Sequence, residues 1–180
     1  MKMLRCWMFL GTVLLWGCSM PRIIVLNDPL DARQHNDLGV AYEQRGDLDL
    51  ASREYQRAAA LDTGWALPLT NLGNLAARNS NWQEAASHYQ EALARQPGNA
   101  ETMNNLAWVL TKAGLPHQAL SWAQQAVTAS ADDPRCWDTL AEVYKALGQV
   151  KDAHEAAARG LALDPTPELR TSLEAKFLKN

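Results

Sequence analysis

The sequence predicts an all-α protein, built as a solenoid of four helix-turn-helix repeats followed by a C-terminal capping helix. Three observations support this fold class. Apolar residues recur at helical spacing, similar segments follow one another at a period of 34 residues, and glycine, asparagine or proline marks the ends of the segments. Two short helices cannot bury their apolar faces alone, so each segment requires a neighbour.

The fourth segment, residues 134–167, shows the pattern most clearly. Its first helix carries one apolar stripe at i, i+3, i+4 and i+7, formed by Trp137, Leu140, Ala141 and Tyr144. Gly148 ends this helix, because glycine takes the left-handed conformation of a C-terminal cap without a Cβ penalty. Small residues on the second helix then allow the two backbones to approach closely; they are Ala153, Ala157 and Gly160.

These residue types at these spacings resemble the tetratricopeptide repeat (TPR), a helix-turn-helix unit. The resemblance implies a right-handed solenoid, in which the first helices line a concave groove that binds protein partners, often as extended peptides. Counting back in steps of 34 predicts repeats at 32–65, 66–99, 100–133 and 134–167. Residues 168–180 are then the capping helix that hides the apolar edge of the last repeat.

The earlier repeats depart from the pattern at identifiable positions. The first has His35 in place of a large apolar residue, and the second has Asn79-Ser80-Asn81 in place of the turn glycine. Asparagine tolerates left-handed geometry and caps helices, so we expect it to make this turn. The third repeat has Ala123 where an aromatic residue is usual, and Pro116 suits the first turn of its second helix.

The first 17 residues predict a signal peptide, because Lys2 and Arg5 precede an uncharged run that is too short to span a bilayer. The run ends in Leu15-Trp16-Gly17-Cys18, which resembles the lipobox of bacterial lipoproteins, although Trp16 is bulky where such sites carry a small residue. The resemblance implies cleavage before Cys18 and acylation of that cysteine, which anchors the chain in a membrane. The alternative is an ordinary secretory signal, with Cys18 as a chance match.

Residues 18–31 are then a lipidated tether. Its apolar run Ile23–Leu26 either packs on the first repeat, which we favour, or forms a strand with a partner. The cysteine is followed by Ser19 and Met20 and not by aspartate, and in this the chain resembles lipoproteins sorted to the outer membrane. For a Gram-negative source, the resemblance implies a lipid-anchored protein on the periplasmic face of that membrane.

Composition and motifs argue against several classes of function. Loss of residues 1–17, which carry two basic and no acidic residues, changes the formal net charge from −3 to −5 and disfavours nucleic acid as a partner. Glycine-rich phosphate loops and the motifs Gly-x-Ser-x-Gly, His-Glu-x-x-His and Cys-x-x-Cys are absent. We therefore expect no enzyme, cofactor, metal or small-molecule substrate.

A nucleophile–base pair of Cys136 and His154 is the one catalytic arrangement to weigh in the fourth repeat. We favour a packed thiol beside Trp137 instead. Lipidation of Cys18 also leaves Cys136 without a disulfide partner.

The candidate binding residues lie at the fifth, sixth and ninth positions of the first helices, which we expect to point away from the core. The predicted groove residues are Asn36, Asn71, Asn74, Asn104, Asn105 and Trp108. Asparagine both donates to and accepts from a peptide backbone, and an exposed tryptophan is typical of a binding anchor. The alternatives are a solvated polar face for the asparagines, and packing against a neighbouring helix or the tether for Trp108.

The same positions exclude one familiar groove chemistry. Chaperone-binding TPR proteins clamp a C-terminal carboxylate with lysine and asparagine at the fifth and ninth positions of their first repeat, where this chain has Asn36 and Val40. Lys112, Arg135 and Lys145 still favour an acidic segment near the C-terminal end.

The whole architecture resembles the TPR lipoproteins that help secretins assemble in pilus systems. We therefore expect a non-enzymatic scaffold that holds a protein or extended peptide in its groove. The alternative is an adaptor for a periplasmic protease or cell-wall hydrolase. Alanine at Asn71 and Asn105 together is expected to weaken binding with little change in melting temperature.

Overall fold

The computed structural model describes residues 28–178 and confirms the predicted all-α class. Over this range the chain forms nine α-helices and a π-helix, with no strand. The helices are α1 Ala32–Arg45, α2 Leu48–Leu61, α3 Leu67–Arg78, α4 Trp82–Arg95, α5 Ala100–Lys112, α6 Pro116–Ala129, α7 Pro134–Ala146, α8 Val150–Ala162, α9 Pro167–Leu173 and the C-terminal π-helix Glu174–Leu178. The predicted signal peptide, Cys18 and the Ile23–Leu26 run lie outside the described residues.

Consecutive helices pack as four pairs, and each pair packs on the next. Within the pairs α1 contacts α2, α3 contacts α4, α5 contacts α6 and α7 contacts α8. Between pairs, each second helix contacts the following first helix, and α5 also contacts α7. The buried side chains form one apolar cluster around the first two pairs and a second that extends from α3 to the C-terminal π-helix. None of the helices described here is long and apolar enough to cross a membrane.

Large and small residues exchange places between the two helices of a pair. In the second pair, a Cβ added at Gly73 would lie 2.5 Å from Cε1 of Tyr89, and Gly39 faces Tyr55 in the same way at 2.6 Å. The third pair has two alanines at the equivalent positions, Ala107 and Ala123, and both are fully buried. The helix spacing is therefore kept by matched volumes, in accordance with the dense packing of protein interiors.

The turn inside each pair needs a left-handed residue two positions before the second helix begins. Gly46, Gly114 and Gly148 fill this position with φ of 86°, 77° and 75°. In the second pair it is Ser80, with φ of 59°, so the expectation that asparagine makes this turn is wrong. Asn81 also does not cap the backbone of α4, since its side-chain oxygen accepts no backbone N–H of that helix, and its side-chain amide donates to Glu84.

The C-terminal segment covers the last pair, as predicted. Thr166 caps α9 by accepting from the backbone N–H of Leu169. Leu173 is fully buried, and Phe177 is 5 % exposed within the same cluster as α7 and α8. The last turn differs from the prediction because it is a π-helix, a rare form that often occurs at functional sites.

The matched volumes give a test of the packing. Gly73→Ala should lower the free energy of unfolding by about 1–3 kcal/mol, because the new methyl group overlaps the Tyr89 ring. The same substitution should cost clearly less in a Tyr89→Ala background, which reproduces the alanine pair of the next repeat. Urea denaturation of the four proteins measures this coupling. Equal costs in both backgrounds would show that the ring and the glycine do not interact.

Candidate partner-binding groove

The predicted groove residues are brought together on neighbouring first helices, where their side chains bond one helix to the next. Nδ2 of Asn71 on α3 donates to Oδ1 of Asn36 on α1 at 3.0 Å. Nδ2 of Asn105 on α5 donates to Oδ1 of Asn74 on α3 at 3.3 Å. Four of the six predicted residues thus form two pairs that connect successive repeats.

Further polar contacts lie along the same line of side chains across α1, α3 and α5, which we call the polar row. The hydroxyl oxygens of Thr70 and Thr102 lie 3.2 Å apart between α3 and α5. The hydroxyl of Tyr89 donates to Oδ1 of Asn74 at 2.7 Å. Burial raises the pKa of Tyr89 far above its ordinary value, so the phenol keeps the proton that it donates. The polar row therefore stabilises the stacking of the repeats.

This arrangement corrects the expectation that these positions point away from the interior. Asn36 is only 4 % exposed, and Thr70 and Thr139 are also buried, because the adjacent first helix covers them. The expected small effect of replacing Asn71 and Asn105 on the melting temperature stays a prediction, and the contact to Asn36 argues against it at Asn71. Removal of the Asn71 amide takes the donor from Oδ1 of buried Asn36, and an unpaired buried acceptor costs stability. Oδ1 of Asn74 keeps the Tyr89 hydroxyl when the Asn105 amide is removed.

Asn104 differs from the other asparagines in the row. Its Oδ1 is buried and has no hydrogen-bond partner among residues 28–178. Buried side-chain oxygens almost always accept a hydrogen bond, so an unpaired one requires an explanation. A donor from outside the chain reaches this oxygen only if the side chain turns outward, because the oxygen has almost no accessible surface.

Trp108 lies one helical turn after Asn104 and is partly buried. It packs edge-to-face on Trp82 at the start of α4, with ring centroids 5.5 Å apart and ring planes at 88°. Nζ of Lys112 lies 5.6 Å from the centroid of the Trp108 ring. The alternative of packing against a neighbouring helix thus holds in part, because Trp108 packs on Trp82 and the core and still keeps some accessible surface.

The C-terminal end of the row contains a charged cluster that the sequence analysis missed. Nζ of Lys176, on the C-terminal π-helix, lies 3.2 Å from both carboxylate oxygens of Asp138 and 2.5 Å from Oε1 of Glu142. Lys112 lies 3.5 Å from the other oxygen of Glu142. Continuation of the repeat period beyond residue 167 puts Lys176 at the ninth position of an incomplete fifth repeat. Counting positions in this way is the sequence signal that could have identified Lys176 as part of the row.

The charged groups of this cluster shift one another's pKa. Burial raises the pKa of Asp138, and the nearby charge of Lys176 opposes that shift. Burial alone would lower the pKa of Lys176, but the hydrogen bond to Glu142 and the two carboxylate charges outweigh it and raise that pKa. Lys176 therefore stays charged at neutral pH, so the capping segment is held to α7 by a cation between two carboxylates.

The described residues offer hydrogen bonding and packing more readily than catalysis. Burial raises the pKa of Cys136 to about 11, so its thiol is protonated at neutral pH and is a poor nucleophile. His154 is exposed on α8. Within residues 28–178, no three His, Cys, Asp or Glu side chains are grouped to hold a metal ion.

Comparison with protein families assigns this architecture. The family model described as Tetratricopeptide repeat matches residues 22–65 and 70–134, which is more than half of the chain. The chain belongs to the tetratricopeptide repeat family. The match ends at residue 134, so the fourth TPR is assigned by its own helix pair.

Individual relatives are similar in fold and distant in sequence. Superkiller protein 3 of Schizosaccharomyces pombe is 25 % identical over 145 residues, or 77 % of this chain, but the chain spans only about 10 % of that protein. MamA of Desulfovibrio magneticus RS-1 has a TM-score of 0.71 at 22 % identity, covering 80 % of this chain and 82 % of MamA.

Two further solved structures share the fold. YrrB, described as a TPR protein with an unusual peptide-binding site, has a TM-score of 0.67 at 22 % identity, covering 81 % of this chain and 77 % of YrrB. PilF of Pseudomonas aeruginosa has a TM-score of 0.70 at 22 % identity, covering 84 % of this chain and 71 % of PilF.

The charged cluster gives a second prediction. Lys176→Met should lower the free energy of unfolding by roughly 1–2 kcal/mol, because two neighbouring carboxylates lose their shared cation. Adding Asp138→Asn and Glu142→Gln to Lys176→Met should restore most of the loss. Thermal unfolding measures both effects, and Lys151→Met, at an exposed lysine of α8, is the control. A loss as large for Lys151→Met would refute a specific role for the cluster.

Proposed function

We propose that this protein is a non-enzymatic TPR scaffold, which holds a protein partner as an extended segment in the groove formed by α1, α3, α5 and α7. The observation that carries the proposal is the unpaired Oδ1 of Asn104, beside the accessible part of Trp108, in a row where the other asparagines pair with each other. A backbone N–H of the partner would satisfy Asn104, while an apolar side chain would contact Trp108.

The role within the cell is a further part of the proposal. We infer that lipidation at Cys18 holds the groove near the outer membrane of a Gram-negative source, where it assists assembly of an envelope machine such as a pilus or secretin. Support comes from the lipobox-like end of the predicted signal peptide and from the TPR fold shared with PilF. Because residues 18–31 separate the lipid from the first repeat, the groove would stay within about 45 Å of the membrane.

Asn104 provides the test of the groove. Asn104→Leu should weaken binding of the partner several-fold and leave the melting temperature equal or higher, because it replaces an unpaired buried oxygen with a methyl group of similar size. The matched variant Asn71→Leu should lower the melting temperature, since it removes the donor to Asn36. Differential scanning calorimetry of the two variants measures this contrast.

Binding is read by photo-crosslinking of the full chain in cells of the source organism. A photoreactive residue is placed at Glu101, one turn before Asn104 and exposed, and at exposed Gln118 on α6 as a control. We expect one discrete adduct from position 101 that is reduced by Asn104→Leu. An adduct unaffected by Asn104→Leu, or equal adducts from both positions, would overturn the groove. Mass spectrometry of the adduct separates a pilus or secretin subunit from a protease or cell-wall hydrolase.

The anchor has its own test. Cys18→Ser should move the protein from the membrane fraction to the soluble fraction, because stable anchoring needs the acyl chains. Cys6→Ser, in the predicted signal peptide, should leave the partitioning unchanged. Fractionation with labelling by an alkyne fatty acid measures both variants. Retention of Cys18→Ser in the membrane fraction would refute lipid anchoring at this residue.

A further inference from the structure

The fourth repeat contains a cleft between its two helices, and its side chains there differ from those that align with them in the third repeat. At one position of the second helix, the third repeat has Trp122, which packs on the core, and the fourth has Ala156. The apolar stripe on the first helix of the third repeat is buried, and consists of Met103, Leu106 and Leu110. In the fourth repeat the equivalent Trp137 and Tyr144 are only partly buried. The small side chain of Ala156 thus leaves an opening of ≈ 210 Å³ between α7 and α8.

The walls of this cleft combine aromatic and acidic groups. Trp137, Leu140 and Tyr144 line it from α7, and Asp152, Glu155 and Arg159 line it from α8. Two carboxylates and one guanidinium leave a formal charge of about −1 at its rim at neutral pH. The positions equivalent to the three charged residues in the third repeat are Gln118, Ser121 and Gln125, so that repeat has no charge there, whereas the second repeat has Glu84 and Glu91 at two of the three positions.

The cleft already holds one guanidinium group of the chain itself. Cζ of Arg159 lies 5.4 Å from the centroid of the Trp137 ring, and Nη2 of Arg159 lies 3.4 Å from Oε1 of Glu155. Stacking on an aromatic face together with pairing to a carboxylate is the geometry that arginine prefers. The remaining carboxylate, Asp152, is exposed, so a second cation can reach it without unfolding the repeat.

We propose that this cleft is a second binding site, which takes an arginine side chain of a protein partner. The excess negative charge selects a cation, and the aromatic walls favour a planar guanidinium over an ammonium group. A volume of ≈ 210 Å³ fits one side chain and is below the roughly 300 Å³ at which small-molecule sites begin. The cleft uses a different face of α7 from Asp138 and Glu142, which belong to the groove, so the two sites act independently.

The test uses the full chain in detergent micelles, with ¹⁵N in the tryptophan indoles. Nε1–H of Trp137 donates to the carbonyl of Ala131 at 2.9 Å, which gives this indole one fixed environment beside the cleft. The probes are the blocked tripeptides Gly-Arg-Gly and Gly-citrulline-Gly, which differ only in charge and one atom type. The arginine peptide should shift the Trp137 signal saturably, and the citrulline peptide should bind several-fold more weakly.

Variants at the rim and floor complete the design. Asp152→Asn with Glu155→Gln should weaken binding of the arginine peptide about tenfold. Ala156→Trp, which installs the residue of the third repeat, should abolish the shift while circular dichroism shows the helices intact. Equal shifts from both peptides, an equal effect of Gly-Lys-Gly, or a shift that Ala156→Trp leaves unchanged would overturn the proposal. None of these results depends on the groove, which is tested at Asn104.

Discussion

Each helix pair buries its apolar stripe only when a neighbouring pair stands close to it, and the rest of the structure depends on this approach. The small residues that face Tyr55 and Tyr89 allow the helices within a pair to come together. Between pairs, the first helices are so close that short asparagine and threonine side chains reach across. Polar side chains that an isolated helix would expose to water here form hydrogen bonds between repeats. The polar row is therefore a product of the packing, and its partners are fixed by the period of the repeat.

The same dependence explains the ends of the solenoid. The last pair has no following repeat, and the C-terminal segment takes that place with Leu173 and Phe177 buried against it. The segment also supplies a side chain to the row, because Lys176 lies between Asp138 and Glu142 as the next first helix would place it. The groove thus ends in a charged contact made by the chain itself. A partner that approaches this end meets a cluster whose charges are largely compensated.

The period and types of the residues were sufficient to predict the fold. Apolar spacing, the glycines at the turns and the tail after residue 167 predicted the helix pairs and their cap, because these features depend on local geometry. The burial and hydrogen bonding of the site residues were less predictable. Burial of Asn36 depends on the distance between two helices that lie a whole repeat apart in sequence, and no local pattern contains that distance. The prediction that asparagine makes the left-handed turn was wrong for a related reason. The position within the turn decides which residue is left-handed, so Ser80 takes that conformation although Asn79 and Asn81 stand on either side of it.

Function in a repeat protein is found where one repeat stops matching its neighbours. The side chains of Asn71 and Asn105 donate to asparagines of the preceding first helix, whereas Oδ1 of Asn104 is buried and has no hydrogen-bond partner among the described residues. The fourth repeat has Ala156 where the third has Trp122, and Asp152 and Glu155 stand at the rim of a cleft beside it. Both departures cost packing or hydrogen bonding that the consensus arrangement retains. We propose binding of a partner as the reason for both departures.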